Sequence, residues 1–131
     1  GGKVVTLDAY IEEDILSAHY SHTTYHSNPN ADGYKNILAL IEHFGLQENL
    51  YPVIGWTPDD VPEAIKRFEE PLDFVFIDGG HFPGQIMKDV EVLLPHTNEN
   101  TFWLFHDCHD NVWTNEVADF VKLKLNKIQF F

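Results

Sequence analysis

Short apolar runs alternate with amphipathic stretches along the chain. Lys3–Leu7 (KVVTL) predicts a buried strand ending at Asp8. Ile11–Tyr20 predicts a helix, with Glu12, Glu13 and Asp14 placed favourably against the positive end of its dipole. Ser21–Gly33 is polar, carries Pro29 and Gly33, and reads as a loop. Tyr34, Ile37, Leu38, Ile41 and Phe44 then recur at helical spacing, with Gly45 as the stop. Tyr51–Gly55 predicts a short strand. Thr57 is read as the cap of a further helix, Pro58 as its first residue, and Val61, Ala64, Ile65 and Phe68 as its buried face. Leu72–Ile77 (LDFVFI) is nearly all apolar, as a strand covered on both faces should be. Pro83 starts the next helix, with Ile86, Val90, Leu93 and Leu94 inward. Thr101–Phe105 (TFWLF) is another buried strand, with Phe74, Phe76, Phe102, Trp103 and Phe105 read as core. Trp113, Val117, Phe120 and Val121 mark a last helix, and Lys127–Phe131 a terminal strand.

Strands and helices in alternation predict an α/β fold, a doubly wound and mostly parallel sheet covered by helices. No repeat, low-complexity tract or linker interrupts it, so residues 1–131 read as a single domain. Ligands of such sheets bind beyond the carboxyl ends of the strands. Asp8, Asp78 and Asp107 terminate predicted strands and are expected along one sheet edge.

Charge narrows the choice of partners. Eight Lys and Arg face 21 Asp and Glu, a formal net charge of −13. That balance disfavours nucleic acid and anionic membrane surfaces, and suits a small-molecule substrate or a divalent cation. No apolar run reaches the roughly 18 residues of a membrane span. The one cysteine, Cys108, forms no internal disulfide and points to a reducing, cytoplasmic setting.

The densest chemistry lies in Asp78, His81, His106, Asp107, His109 and Asp110. Carboxylates and imidazoles from two strand ends suit Mg²⁺ or Mn²⁺, and extend the choice to Fe²⁺, Co²⁺ or Zn²⁺. The plainer reading makes Asp78 a turn residue and leaves the others solvated. Asp8 closes an early strand, where an acid often accepts ribose hydroxyls. Trp56 follows a strand and is placed to line a cofactor or substrate. His19, His22 and His26 would share a face of one helix, but Ser21–Ser27 is poor helix material and reads as solvated. Cys108, between histidines, is read as a small buried residue rather than a reactive thiol.

Leu72–His81 (LDFVFIDGGH), Asp89, Leu93-Leu94-Pro95 and Trp103–Asp107 (WLFHD) together resemble the class I S-adenosylmethionine-dependent methyltransferases. The nearest branch is the small-molecule O-methyltransferases, including metal-dependent ones acting on antibiotic sugars. Gly45-Leu46 through Gly55-Trp56-Thr57-Pro58-Asp59 is similar to that family's "G-L … V … G-W-x-P-D" stretch, and Lys3–Asp8 to its second strand. The resemblance implies a Rossmann-like fold and a set of roles. Asp8 would hold the ribose of S-adenosylmethionine, with Gly55 and Trp56 near the adenine. Asp78 would face cofactor and methyl-transfer site or, with His106 and Asp107, ligate a divalent metal such as Mg²⁺. His81 would be the general base.

The sequence departs from the family in several places. His106-Asp107 stands where many relatives carry two acids, and Asp78-Gly79-Gly80 lacks the second acid of D-G-D. Thr97–Asn100 replaces a Gly-Gly, an exchange that a longer turn would absorb. The family's first strand and Gly-rich loop have no counterpart before Lys3, so the domain is expected to be N-terminally incomplete. The leading expectation is a methyltransferase acting on a hydroxyl of a small molecule. The alternatives are a non-catalytic binding or scaffold module that forms a homo-oligomer through open strand edges, and a metal-dependent hydrolase.

Overall fold

The apolar runs form parallel strands, each followed by an amphipathic helix. The computed structural model describes residues 2–10, 32–79, 84–106 and 111–120, with the backbone alone over 111–114. The helix predicted at 11–20, the three spaced histidines, His81, Pro83, Asp107–Asp110, Val121 and the strand predicted at 127–131 lie outside these residues. Contacts divide the chain into two compact units, Gly1–Lys66 and Arg67–Phe131. No described helix is long and apolar enough to cross a membrane.

In the first unit, β1 (Val4–Asp8) pairs in parallel with β2 (Leu50–Ile54), Val4 opposite Leu50 and Asp8 opposite Ile54. A parallel pair needs a crossover, and α1 (Asp32–Phe44) lies within it. The helix therefore begins at Asp32, inside the segment read as loop. Its inner stripe is narrower than the spacing suggested: Ile41 is buried, Tyr34 and Ile37 are half-buried, and Leu38 and Phe44 are exposed. Gly45 ends it as expected. At φ 65 it adopts the left-handed backbone that costs a residue with a Cβ most. Gly45 N–H donates to Glu42 O at 3.2 Å and Leu46 N–H to Ile41 O at 2.9 Å, the paired closure of a Schellman motif. The short helix α2 (Val61–Ile65) packs on β1 and buries Val61, Ala64 and Ile65. It starts later than Thr57 and Pro58 indicated: Asp60 holds the cap position, Pro62 lies in the first turn, and the Thr57–Pro58 bond is cis.

In the second unit, β3 (Leu72–Ile77) pairs in parallel with β4 (Thr97–Phe105) across α3 (Gln85–Leu93) and a 3₁₀ turn at Leu94–His96, and α4 (Asn111–Phe120) follows. The segment expected to form a longer turn is part of β4. The register slips between Leu72–Thr97 and Phe74–Phe102, so residues 98–101 bulge. Side chains satisfy the displaced backbone. Thr101 Oγ1 donates to Leu72 O at 2.6 Å and accepts Asn98 N–H at 2.9 Å, and Asn98 Oδ1 accepts Asn100 N–H at 2.8 Å.

Val75, Ile77, Ile86, Val90 and Phe120 form the core of this unit, with Trp103, Phe105, Leu93 and Val117 packed against it. Phe120 meets both Trp103 and Phe105 edge-on, with centroids 5.2 Å and 6.1 Å away. The opposite face of the β3–β4 pair carries Phe74, Phe76, Phe102 and Leu104, all exposed. Among the described residues, Trp103 and Phe105 thus pack against the core as expected, and Phe74, Phe76 and Phe102 do not. A strand alternates its side chains between faces, and helices α3 and α4 cover just the Val75/Ile77/Trp103/Phe105 side. Among the described residues, β1 pairs with β2 and β3 pairs with β4.

Helix α3 has no side-chain cap of its own, and Gly84 precedes it at φ 79. Gly84 N–H instead donates to Glu116 Oε1 of α4 at 2.7 Å. A carboxylate at a helix N-terminus both accepts an orphan donor and opposes the dipole. Glu116→Ala is expected to lower stability by about 1–2 kcal/mol in urea denaturation, and Glu116→Gln by less, because the amide oxygen still accepts. Equal losses in the two variants would show that acceptance by this oxygen does not matter.

Candidate functional site

Both strand pairs end in the same way. Gly55 N–H donates to Asp8 O at 3.0 Å, and His106 N–H donates to Ile77 O at 3.0 Å. Each bond continues the parallel ladder one step past the strand. It sets Asp8, the last residue of β1, beside Gly55, and brings Asp78, directly after β3, beside His106.

At the end of β1, the Asp8 carboxylate is exposed and its Oδ1 accepts Tyr10 N–H at 2.7 Å. This is an Asx turn, in which a short acid satisfies the backbone two residues on. Tyr10 has φ 50, uncommon for a residue with a bulky side chain. Its ring packs edge-on against Tyr34 of α1, with centroids 5.0 Å apart. The turn and the ring contact together fix where the Asp8 carboxylate stands.

At the end of β2, Gly55 is buried and Trp56 is 38% exposed. Trp56 N–H donates to Asp60 Oδ2 at 2.8 Å, and Asp60 N–H donates back to Trp56 O at 2.8 Å. Residues 56–60 are thereby closed at both ends.

At the end of β3–β4, His106 Nδ1 lies 3.0 Å from Asp78 Oδ1, and both side chains are about half exposed. Phe76 meets the imidazole edge-on at 6.2 Å. At that exposure solvent screens the pair, so its effect is orientation more than stability. The contact fixes the orientation of the ring.

The sequence-predicted residues thus fall into two described groups, Asp8 with Gly55 and Trp56, and Asp78 with His106. His81 and Asp107 lie outside the described residues. The three-residue metal set Asp78, His106 and Asp107 is therefore not assembled among them. No group of three or more described His, Cys, Asp or Glu side chains is placed to hold a metal ion. The two described members of that set are bonded to each other. Tyr10 and Asp60 were missed as site residues. Asp60 falls in the stretch after Thr57-Pro58 that reads as the opening of a helix, and nothing in the sequence marks Tyr10.

Parallel strands, helical crossovers and acids at the carboxyl ends of strands define a Rossmann-like α/β protein. A family profile described as a methyltransferase domain matches residues 2–108, which run through both units, and the chain belongs to that family. No curated protein and no solved structure matches it.

Proposed function

We propose that the chain is an S-adenosylmethionine-dependent methyltransferase domain that methylates a hydroxyl of a small molecule. The observation carrying this reading is the Asp8 carboxylate, exposed at the end of β1, held by Tyr10 N–H and set beside Gly55. An ionised carboxylate only accepts, and each oxygen has two lone-pair directions. Asp8 therefore satisfies Tyr10 N–H and retains capacity for both hydroxyls of a ribose. Gly55 and Trp56 would lie against the adenine, the indole offering a flat apolar surface. Asp78 and His106 would supply acid–base groups at the end of β3–β4.

S-adenosylmethionine, when bound, supplies an electrophilic methyl group on a sulfonium. The protein must orient the acceptor oxygen in line with that methyl and take up the hydroxyl proton. An imidazole is suited to the second task near neutral pH. His81 is the base proposed from sequence, and the bond to Asp78 makes His106 its competitor.

Calorimetric titration with S-adenosylhomocysteine tests the cofactor reading. Asp8→Ala is expected to weaken that binding roughly 10–100-fold, the worth of charge-assisted hydrogen bonds. Asp8→Asn, which still accepts from Tyr10, is expected to fall between. Absence of binding by the natural full-length protein would overturn the reading.

A second reading, a module that associates rather than catalyses, is favoured by the exposed Phe74, Phe76, Phe102 and Leu104 on one sheet face. Sedimentation equilibrium distinguishes the two. A second copy seated on that face predicts a mass that rises with concentration, and a monomer at all concentrations removes this reading.

A further inference from the structure

The turn after β2 holds a constraint that neither the family match nor the proposed activity explains. A Cβ built on Gly55 would stand 2.5 Å from Asp60 Oδ2, 2.6 Å from Asp60 Cβ and 2.7 Å from Asp60 Cγ. Real side chains do not approach that closely, so the Asp60 side chain occupies the space in which any other residue at 55 would place its first carbon. The same Oδ2 accepts Trp56 N–H at 2.8 Å, while the Asp60 backbone is tied to Trp56 O. Trp56 N–H is thus already engaged by Asp60, and Gly55 is held in the β1–β2 ladder by its bond to Asp8 O. One carboxylate therefore fixes the backbone between the residue beside Asp8 and the indole.

We infer that Asp60 is a positioning residue for cofactor binding: it sets the Gly55–Trp56 backbone, so that the indole and the Asp8 carboxylate present one fixed surface to a purine nucleoside. This role rests on the proposed cofactor and deepens it. Asp60 acts through Trp56 and Gly55, and its carboxylate is engaged inside the turn. The contact also requires glycine at 55 as long as residue 60 keeps a Cβ, which makes the two positions a coupled pair.

The experiment is a set of variants in the intact chain, read by amide hydrogen exchange at Trp56 without ligand, by calorimetry with S-adenosylhomocysteine, and by thermal denaturation. Asp60→Ala is expected to lose protection at Trp56 and to weaken binding roughly tenfold, the worth of one charge-assisted bond. Asp60→Asn retains the volume and an acceptor oxygen, and is expected to restore both protection and affinity to within about threefold of wild type. Gly55→Ala is expected to weaken binding at least as much as Asp60→Ala. Adding Asp60→Gly, which removes the Cβ in the way, is expected to recover part of that loss, whereas adding Asp60→Ala is not. A purely structural role would lower the melting temperature of Asp60→Ala and leave the affinity of the folded protein unchanged, overturning the inference. Unchanged protection at Trp56 in Asp60→Ala would overturn the geometry itself, whatever the ligand does. Natural full-length protein that shows the protection but binds no S-adenosylhomocysteine would overturn the cofactor reading and Asp60's role in it, separately from the turn.

Discussion

His106→Ala is expected to slow methyl transfer by about 10²–10⁴-fold, the usual worth of a positioned proton acceptor. S-adenosylhomocysteine affinity should stay within about threefold of wild type, because the purine and ribose are assigned to Asp8, Gly55 and Trp56. Asp78→Asn should cost less, about 10–100-fold, since it alters the group that orients the ring rather than the ring itself. The measurement is S-adenosylhomocysteine formation over a panel of sugar and phenol hydroxyls. The physical basis is the 3.0 Å contact between His106 Nδ1 and Asp78 Oδ1. Under the proposed function, that contact holds the ring in one orientation, so that it need not turn as it takes up the hydroxyl proton. His81→Ala is the control. A full loss there, with His106→Ala near wild type, would move the proton to His81 and leave Asp78–His106 as a structural contact. Loss of S-adenosylhomocysteine affinity in His106→Ala would instead place His106 in cofactor binding.

How much of this was legible in the sequence depends on the residue. The four strands were readable, though not which pairs with which, because parallel strands are apolar runs with polar stops, and Asp8 and Asp78 fall at or directly after those stops. The termination of α1 was readable because only glycine takes φ 65 cheaply, and Gly45 stood where the periodicity ended. The start of α2 was not. Thr57-Pro58 has the composition of a helix opening, but the bonds between Asp60 and Trp56 close a turn first. Composition cannot report which of two adjacent acids folds back. The bulge in β4 was likewise hidden, since Thr97–Asn100 looks like a turn and its pairing depends on Thr101 bonding to Leu72, far away in the chain.

The aromatic residues show the same limit in another form. Phe74, Phe76, Phe102 and Phe105 have the same side chain and occupy equivalent strands, yet only Phe105 packs against the core. Alternation tells which residues share a face; it does not tell which face a helix will cover. The candidate site was legible where one residue type performs one task at a strand end. It was not legible where backbone groups and distant acids, such as Asp60 and Glu116, do the positioning.

Phe120→Ala is expected to be the most damaging single change in the second unit, at about 3–5 kcal/mol. The side chain is 0% exposed, stands edge-on to Trp103 and Phe105, and belongs to the core with Val75, Ile77, Ile86 and Val90. Removing it deletes apolar contact and leaves a space that two large rings cannot close without leaving their own positions. It also releases the last residue of α4, the helix whose Glu116 holds the start of α3, so loss of packing and loss of the cap would act together. A cost of that size is a large share of the roughly 5–15 kcal/mol that holds a domain together. Phe102→Ala is the comparison: at 72% exposure it should change stability by no more than about 0.5 kcal/mol. Urea denaturation followed by far-UV circular dichroism reads both. Comparable losses in the two variants would mean that the Phe102 face is covered in solution, and the mass of the protein would then show whether a second copy covers it.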